Sequence, residues 1–359
     1  MVIRTVHAWS GAVLSLFLAM MGLSGVCLVF KDDYLRAIFP AARQAVPTDP
    51  ATLAFLSDKA DGLFGQDTIR TLRFPTPDFG LLRVRLVSGE SAYLDGNGAL
   101  VASWNGYSRP EEWIFDLHHH LLMGKSGEVA IGVLGLCLFC LTVTGLYAVW
   151  PARRSLGTRV FPASAKRRDL LSSHRNLGVW VALPLLTMSL TGASMVFSGP
   201  AKALLSLAGG QASAEPEAGV PARPGHIDWQ AALSNAQASF PEAAIRGVIL
   251  PQGDRDALRI RMRQPAEWHP NGRTYVNLDP SSSAVLSAVD GQSLRRGERL
   301  YNALYPIHST RLGTGLAARI YDAIIAATGL GLFLLGMVGT YAFLTKPKRR
   351  RRRAPVLTK

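Results

Sequence analysis

The chain has 359 residues, of which 48% are hydrophobic and only 18% charged, and its formal net charge is +14. This is a more apolar balance than that of an ordinary soluble domain, where about a quarter of residues are charged. It contains no Ser/His/Asp constellation, P-loop or HExxH, so hydrolase and nucleotide-driven functions have no support.

The first uncharged run extends from Ala8 to Phe30, long enough for a bilayer core that takes about 20 helical residues. Arg4 gives it a basic start like that of a signal peptide. However, the apolar part exceeds the usual ~7–15 residues and passes directly into Lys31-Asp32-Asp33 without a small-residue cleavage site, so residues 1–30 are predicted to be a retained transmembrane helix. It opens on His7-Ala8-Trp9-Ser10-Gly11, with Gly25 and Phe30 placed 18 and 23 residues after the histidine.

Residues 31–111 follow, and the whole connection from Lys31 to Ser126 carries 10 basic and 12 acidic residues, so its charges nearly cancel. The alternation Leu82-Arg83-Val84-Arg85-Leu86-Val87 reads as a strand with one buried face. Ser91 to Gly98 follows with Asp-Gly and Asn-Gly turn chemistry. A small external α+β domain is predicted.

The second transmembrane segment, 112–151, contains His118-His119-His120, an uncharged run from Val129 to Ala152, and Gly145-Leu146-Tyr147 near its end. Helical throughout, the 32 steps from His118 to Trp150 would span about 48 Å, against a hydrocarbon core of about 30 Å. That places His118 at or above the outer surface. Cys137 and Cys140 have redox spacing but lie in this run and, like Cys27, read as packing residues; the external segments have no cysteine for a disulfide framework.

The loop 152–173 is basic, and Pro151 to Ser173 carries six basic residues against Asp169 alone. The third transmembrane segment, 174–198, repeats the first: His174-Arg175-Asn176-Leu177-Gly178 opens it, with Gly192 and Phe197 again 18 and 23 residues on. Residues 199–307 form a second external domain. An Ala/Gly/Pro-rich approach runs from Ala208 to Gly225, Trp229 to Ser239 reads as an amphipathic helix, and Leu258 to Arg263 alternates as a strand. Its Arg259, Arg261 and Arg263, with Arg273, form either a solvated strand face or an attraction for an anion. The fourth segment, 308–345, begins at His308 and ends near Gly339-Thr340-Tyr341, followed by a tail, 346–359, with eight basic residues.

Lys and Arg collect in short cytoplasmic segments, so both termini are predicted inside. Arg349 to Arg353 read as contact with anionic lipid of the bilayer rather than nucleic acid. The predicted fold class is an α-helical membrane protein: four transmembrane helices as two parallel repeats, with two external α+β domains.

Repeat symmetry pairs His7 with His174 and His118 with His308. Ionisable side chains at membrane helix ends point to function, and histidine is a haem axial ligand. Two b-type haems held through His7, His174, His118 and His308 are the sharpest expectation, with His120 as the alternative to His118. Two imidazoles leave haem iron no open position, which favours electron transfer. Arg4 and Arg175 are candidate propionate partners for the inner haem, Lys125 and Arg311 for the outer. Gly329-x-Gly331 lies inside an apolar run with no preceding strand and is not a dinucleotide fingerprint. An electron donor would therefore be a separate cytoplasmic reductase or a membrane quinol.

Arg4 to Gly11, Asp116 to Gly124, Thr144 to Pro151, Asp169 to Gly178, Phe240 to Ile245 and Ile307-His308-Ser309 together resemble the PepSY-associated transmembrane family of bacterial inner-membrane proteins. The three consecutive histidines depart from the usual motif. The resemblance implies PepSY-like external domains in the periplasm and an iron-regulated, di-haem ferric-siderophore reductase activity without a covalent catalytic residue. Its electron acceptor would be a ferric siderophore or other iron(III) chelate. An anchored PepSY sensor or inhibitory binding module, and a transporter of chelate or haem, are the competing readings.

Overall fold

The computed structural model describes residues 2–207, 225–253 and 256–345. The tail from 346 onward, with Arg349 to Arg353, and residues 208–224 of the predicted flexible approach lie outside the described residues.

The first apolar run forms α1 (Val2–Val29), followed by the short α2 (Lys31–Ile38) and by α3 (Pro50–Phe64). Asp49 caps α3 by accepting the Thr52 N–H, and Pro50 sits at its first position, where a missing N–H costs nothing. Four strands follow: β1 (Ile69–Arg73), β2 (Leu82–Leu86), β3 (Ser91–Leu94) and β4 (Leu100–Trp104). The chain returns through α4 (Pro110–His120) and α5 (Gly124–Val149), then α6 (Arg167–Trp180), α7 (Ala182–Val196) and α8 (Ser198–Ser206). The second half continues with α9 (Trp229–Ser239), β5 (Ala244–Ile249), β6 (Leu258–Arg263), β7 (Thr274–Leu278), β8 (Val285–Val289), α10 (Arg296–His308) and α11 (Leu316–Leu344). Asp228 caps α9 through the Ala231 N–H, as Asp49 caps α3.

Three helices are long and apolar enough to cross a membrane: α1, the helix that begins as α5, and α11. The predicted third span is instead a bent pair, α6 and α7, meeting at 64°. Pro184 explains the bend, because it has no N–H for the Trp180 carbonyl one turn back and its ring would strike that carbonyl. The expectation of one helix from His118 to Trp150 is also corrected. Leu121 and Leu122 adopt left-handed backbone (φ 49 and 60) between α4 and α5. A Cβ on Gly127 would collide with the His120 carbonyl, so glycine lets the chain fold back there. Similarly, His308 ends α10 and the span starts only at Leu316.

The two segments predicted to be external do not make two separate domains. Among the described residues they share one eight-stranded sheet, ordered β4-β3-β2-β1-β5-β6-β7-β8. The seam is an antiparallel pairing of β1 with β5, Leu72 opposite Val248 and Arg73 opposite Gly247. Neither half could leave this edge unpaired without exposing a template for other strands, and joining the halves removes both edges. One face of the whole sheet buries a single core with α3 and α9, including Leu53, Leu56, Val84, Trp229, Ile260 and Val276. Trp229 Nε1 donates across the halves to Asp61 Oδ2 at 2.6 Å. In the membrane part, α1 and α11 cross at Gly22 and Gly329, where a Cβ on either would lie 2.5–2.7 Å from the other's carbonyl oxygen. Gly329 thus serves close helix packing.

The seam has little slack: a Cβ on Gly247 would stand 2.6 Å from the Leu72 carbonyl oxygen. Gly247→Ala should destabilise the sheet by about 1–3 kcal/mol, the usual range for overpacking. Thermal unfolding of the detergent-purified protein, followed by circular dichroism, would show the lowered Tm.

Candidate functional site: two facing histidine pairs

Four histidines from different helices meet in two pairs. His7 on α1 faces His174 on α6, with ring centres 6.4 Å apart. His118 on α4 faces His308 on α10 at 6.3 Å. Repeat-related spacing in the sequence pairs them the same way.

Each ring rests on a glycine of another helix. Gly145 lies against His7, Gly339 against His174, Gly25 against His118 and Gly192 against His308; a Cβ on any of them would come within 2.8–3.3 Å of the imidazole Cε1. The glycines 18 residues after His7 and His174 thus hold the opposite pair rather than their own. His174 Nδ1 lies 3.2 Å from the Leu335 carbonyl, four residues before Gly339. In the other three sites Nδ1 meets the hydroxyl of the residue just before the glycine, Thr144 at His7 (3.2 Å), Ser24 at His118 (2.9 Å) and Thr191 at His308 (3.0 Å).

This arrangement fixes the tautomer. The Leu335 carbonyl can only accept, and the Thr144, Ser24 and Thr191 hydroxyls already donate to carbonyls of their own helices, so Nδ1 carries the proton and Nε2 keeps its lone pair, the state in which histidine ligates a metal. The pair separations also suit a shared metal ion. Imidazole nitrogens bind first-row metals at about 2.0–2.1 Å, and with about 1.1 Å from each nitrogen to its ring centre, two opposed imidazoles stand about 6.3 Å apart. Among the described residues no group of three or more His, Cys, Asp or Glu could hold an ion. Two imidazoles alone suit a metal that brings its own equatorial ligands.

The His7–His174 pair opens into a cavity of about 1270 Å³ lined by Gly11, Gly145, Gly178 and Gly339, by Leu138, Leu141, Leu185 and Leu335, and by arginines. This volume exceeds the range of about 300–1,000 Å³ typical of small-molecule sites. Apolar walls with small residues suit a flat apolar macrocycle.

A family model for the PepSY-associated TM region matches residues 4–346. The chain belongs to this family. No match was found among curated proteins.

The PepSY-associated fold places the predicted polar partners unevenly. Arg4 and Arg175 line the His7–His174 cavity, as expected for groups facing an anion, and sequence reasoning missed Arg167 beside them. Arg4 donates to the Ala148 carbonyl, Arg167 to that of Ala342 and Arg175 to Ser155, while Arg175 Nε is buried without a partner. Lys125 stands 83% exposed and pairs with Glu128, and Arg311 pairs with Asp32 at 3.0 Å. Neither contact involves His118 or His308. Within the triplet, His118 alone faces His308. His119 stacks on Phe115, and His120 binds Asp116 at 2.7 Å.

The histidine-on-glycine contact gives opposite expectations for two helical glycines. Gly192→Ala puts a methyl 2.8 Å from His308 Cε1, whereas Gly199 has open space around it. Gly192→Ala should lower the Tm and Gly199→Ala should leave it unchanged or raise it slightly, by up to about 1 kcal/mol of stability, in thermal melts of the two variants.

Proposed function

We propose that this protein is a di-haem transmembrane electron-transfer protein that reduces ferric siderophores or related iron(III) chelates on the periplasmic side of the bacterial inner membrane. The single observation that carries the reading is the double pairing of histidines, each with Nδ1 engaged by a carbonyl or hydroxyl and its ring held on a glycine. In this reading four spans form two parallel repeats, counting the bent pair α6 and α7 as one. The palindromic strand order about the β1–β5 seam supports that duplication. With both termini cytoplasmic, the sheet lies outside.

Haem bound through two imidazoles has no open coordination position and so exchanges single electrons without binding oxygen or substrate at iron. The protein's own residues do the rest. His7 and His174 come from separate halves of the chain, as do His118 and His308, so neither site exists without both halves. Arg4, Arg167 and Arg175 would offset anionic carboxylates at the inner cavity mouth, where partly dehydrated charge needs a counter-charge. The apolar side chains around His7 and His174 exclude water.

Donor electrons would enter at the inner pair from a cytoplasmic reductase or a membrane quinol. The described inner connection between α5 and α6 holds too few residues for a nicotinamide or flavin domain. Reduction to iron(II) weakens the grip of hard oxygen ligands and so frees the metal.

Oxidised and dithionite-reduced spectra of the detergent-purified protein, with pyridine-haemochrome quantification, test this reading. About two low-spin b-type haems per chain are expected. His7→Ala and His174→Ala should each remove one site, His118→Ala and His308→Ala the other, and His120→Ala neither. A colourless protein after expression with ample haem would overturn the proposal and favour an anchored PepSY binding module.

A further inference from the structure

The sheet's second face, opposite the α3 and α9 core, is unusually cationic. Strand register sets Tyr93, Arg83, Arg73, Gly247, Arg261 and Tyr275 in one row across six strands. Adjacent like charges destabilise a sheet, and only some are compensated. Arg83 pairs with Glu112 at 3.1 Å, and Arg261 donates twice to the Gly272 carbonyl. The Arg259 and Arg263 side chains are likewise taken up, by Asn277 and by the Glu267 carbonyl.

Arg273 differs from these. Its Nε is buried without a hydrogen-bond partner, and its side chain lines a cavity of about 410 Å³ between the 266–273 loop and α10. Arg296 and Arg299, exposed and one turn apart on α10, line the same cavity. Glu267 is the acid there, and its carboxylate is already engaged by the Thr274 hydroxyl and by the backbone N–H groups of Gln264 and Arg273. Trp268, 64% exposed, and the buried His269 complete the wall. Burial, then the fields of Arg273, Arg261, Arg73 and Arg263, lower the His269 pKa to about 3. Its neutral ring stacks on Tyr305 with centres 4.8 Å apart, and Tyr305 lies one helical turn before His308.

We propose that this cavity binds a ligand carrying several carboxylates, held by Arg273, Arg296 and Arg299, the last two on the helix α10 that ends at His308. The inference deepens the ferric-chelate reading by naming the substrate class, a polycarboxylate chelate. Arginine forks match carboxylates two hydrogen bonds at a time. The cavity lies within the about 300–1,000 Å³ usual for small-molecule sites, far too roomy for one phosphate. Carboxylate oxygens are also the hard donors that iron(III) prefers.

Isothermal titration of the full-length protein with citrate, at low ionic strength, tests the proposal. Citrate should bind, and inorganic phosphate should bind at least about ten-fold more weakly. Arg273→Gln and Arg299→Gln should each weaken citrate about ten-fold, the scale of one lost charge-assisted pair. Arg299 is exposed on α10, so its variant should fold even if Arg273→Gln does not. Lys59→Gln, on α3 across the sheet, should leave citrate binding unchanged. Absence of citrate binding, indifference to Arg299→Gln, or equal affinity for phosphate would overturn the assignment. The haem spectrum separates the two readings: citrate binding by a colourless protein keeps the anion site and removes electron transfer, whereas a di-haem protein that ignores citrate does the reverse.

Discussion

The contact on which the site depends is the Cε1 edge of an imidazole set against a glycine of a neighbouring helix, made four times. Glycine is favoured because a methyl at any of these positions would crowd the ring, coming within 2.8–3.3 Å of Cε1. The same contact brings Nδ1 onto a polar group of the glycine's helix, which is open to a donor from outside because the glycine has no side chain to shield it. Position and tautomer are therefore set by one local device. At three sites the polar group is the hydroxyl of Thr144, Ser24 or Thr191, each immediately before its glycine. His174 lacks that bond and uses the Leu335 carbonyl alone, at 3.2 Å.

The device works only if helices from both halves of the chain are held in register, and the sheet contributes to this. Its central seam ties β1 to β5, and α4 and α10 leave from the outer strands β4 and β8 to carry His118 and His308 back toward the bundle. The breaks after both histidines follow from that route. A helix continuing straight through His118 would hold the ring far from Ser24 and Gly25. The left-handed pair Leu121-Leu122 instead ends α4 with its last turn lying against α1. These strained residues, uncommon for leucine, have a positional reason.

Much of this was legible in the sequence. Uncharged runs gave the apolar helices, period-two alternation gave β2 and β6 close to their observed bounds, and the repeat of His7 with His174 gave the pairing partners. What pattern reading missed was tertiary. Pro184 turns the third apolar run into a bent pair. The triplet His118 to His120 reads as continuous helix because no proline or charged residue marks the break, and only Gly124 and Gly127 hinted at it. That two alternating segments would share one sheet could not be read from either, since edge strands and central strands have similar patterns once both faces are covered. Arg167 escaped notice because it sits seven residues before His174, two helical turns away on the same face.

The two histidine layers are closer than a continuous second helix would allow. His118 is held by Ser24 and Gly25 of α1, and 17–18 residues separate these from His7, a rise of about 26 Å. Seating His118 at the level of Gly25, rather than at the far end of a continuous helix, keeps both pairs within the length of α1. It also leaves the space above His308 to Tyr305 and His269, and so to the arginine face of the sheet. The break after α4 and the course of α10 thus have one consequence: His118 meets His308 within the helices, while Arg296 and Arg299, twelve and nine residues earlier on α10, stay at the cavity beside the sheet.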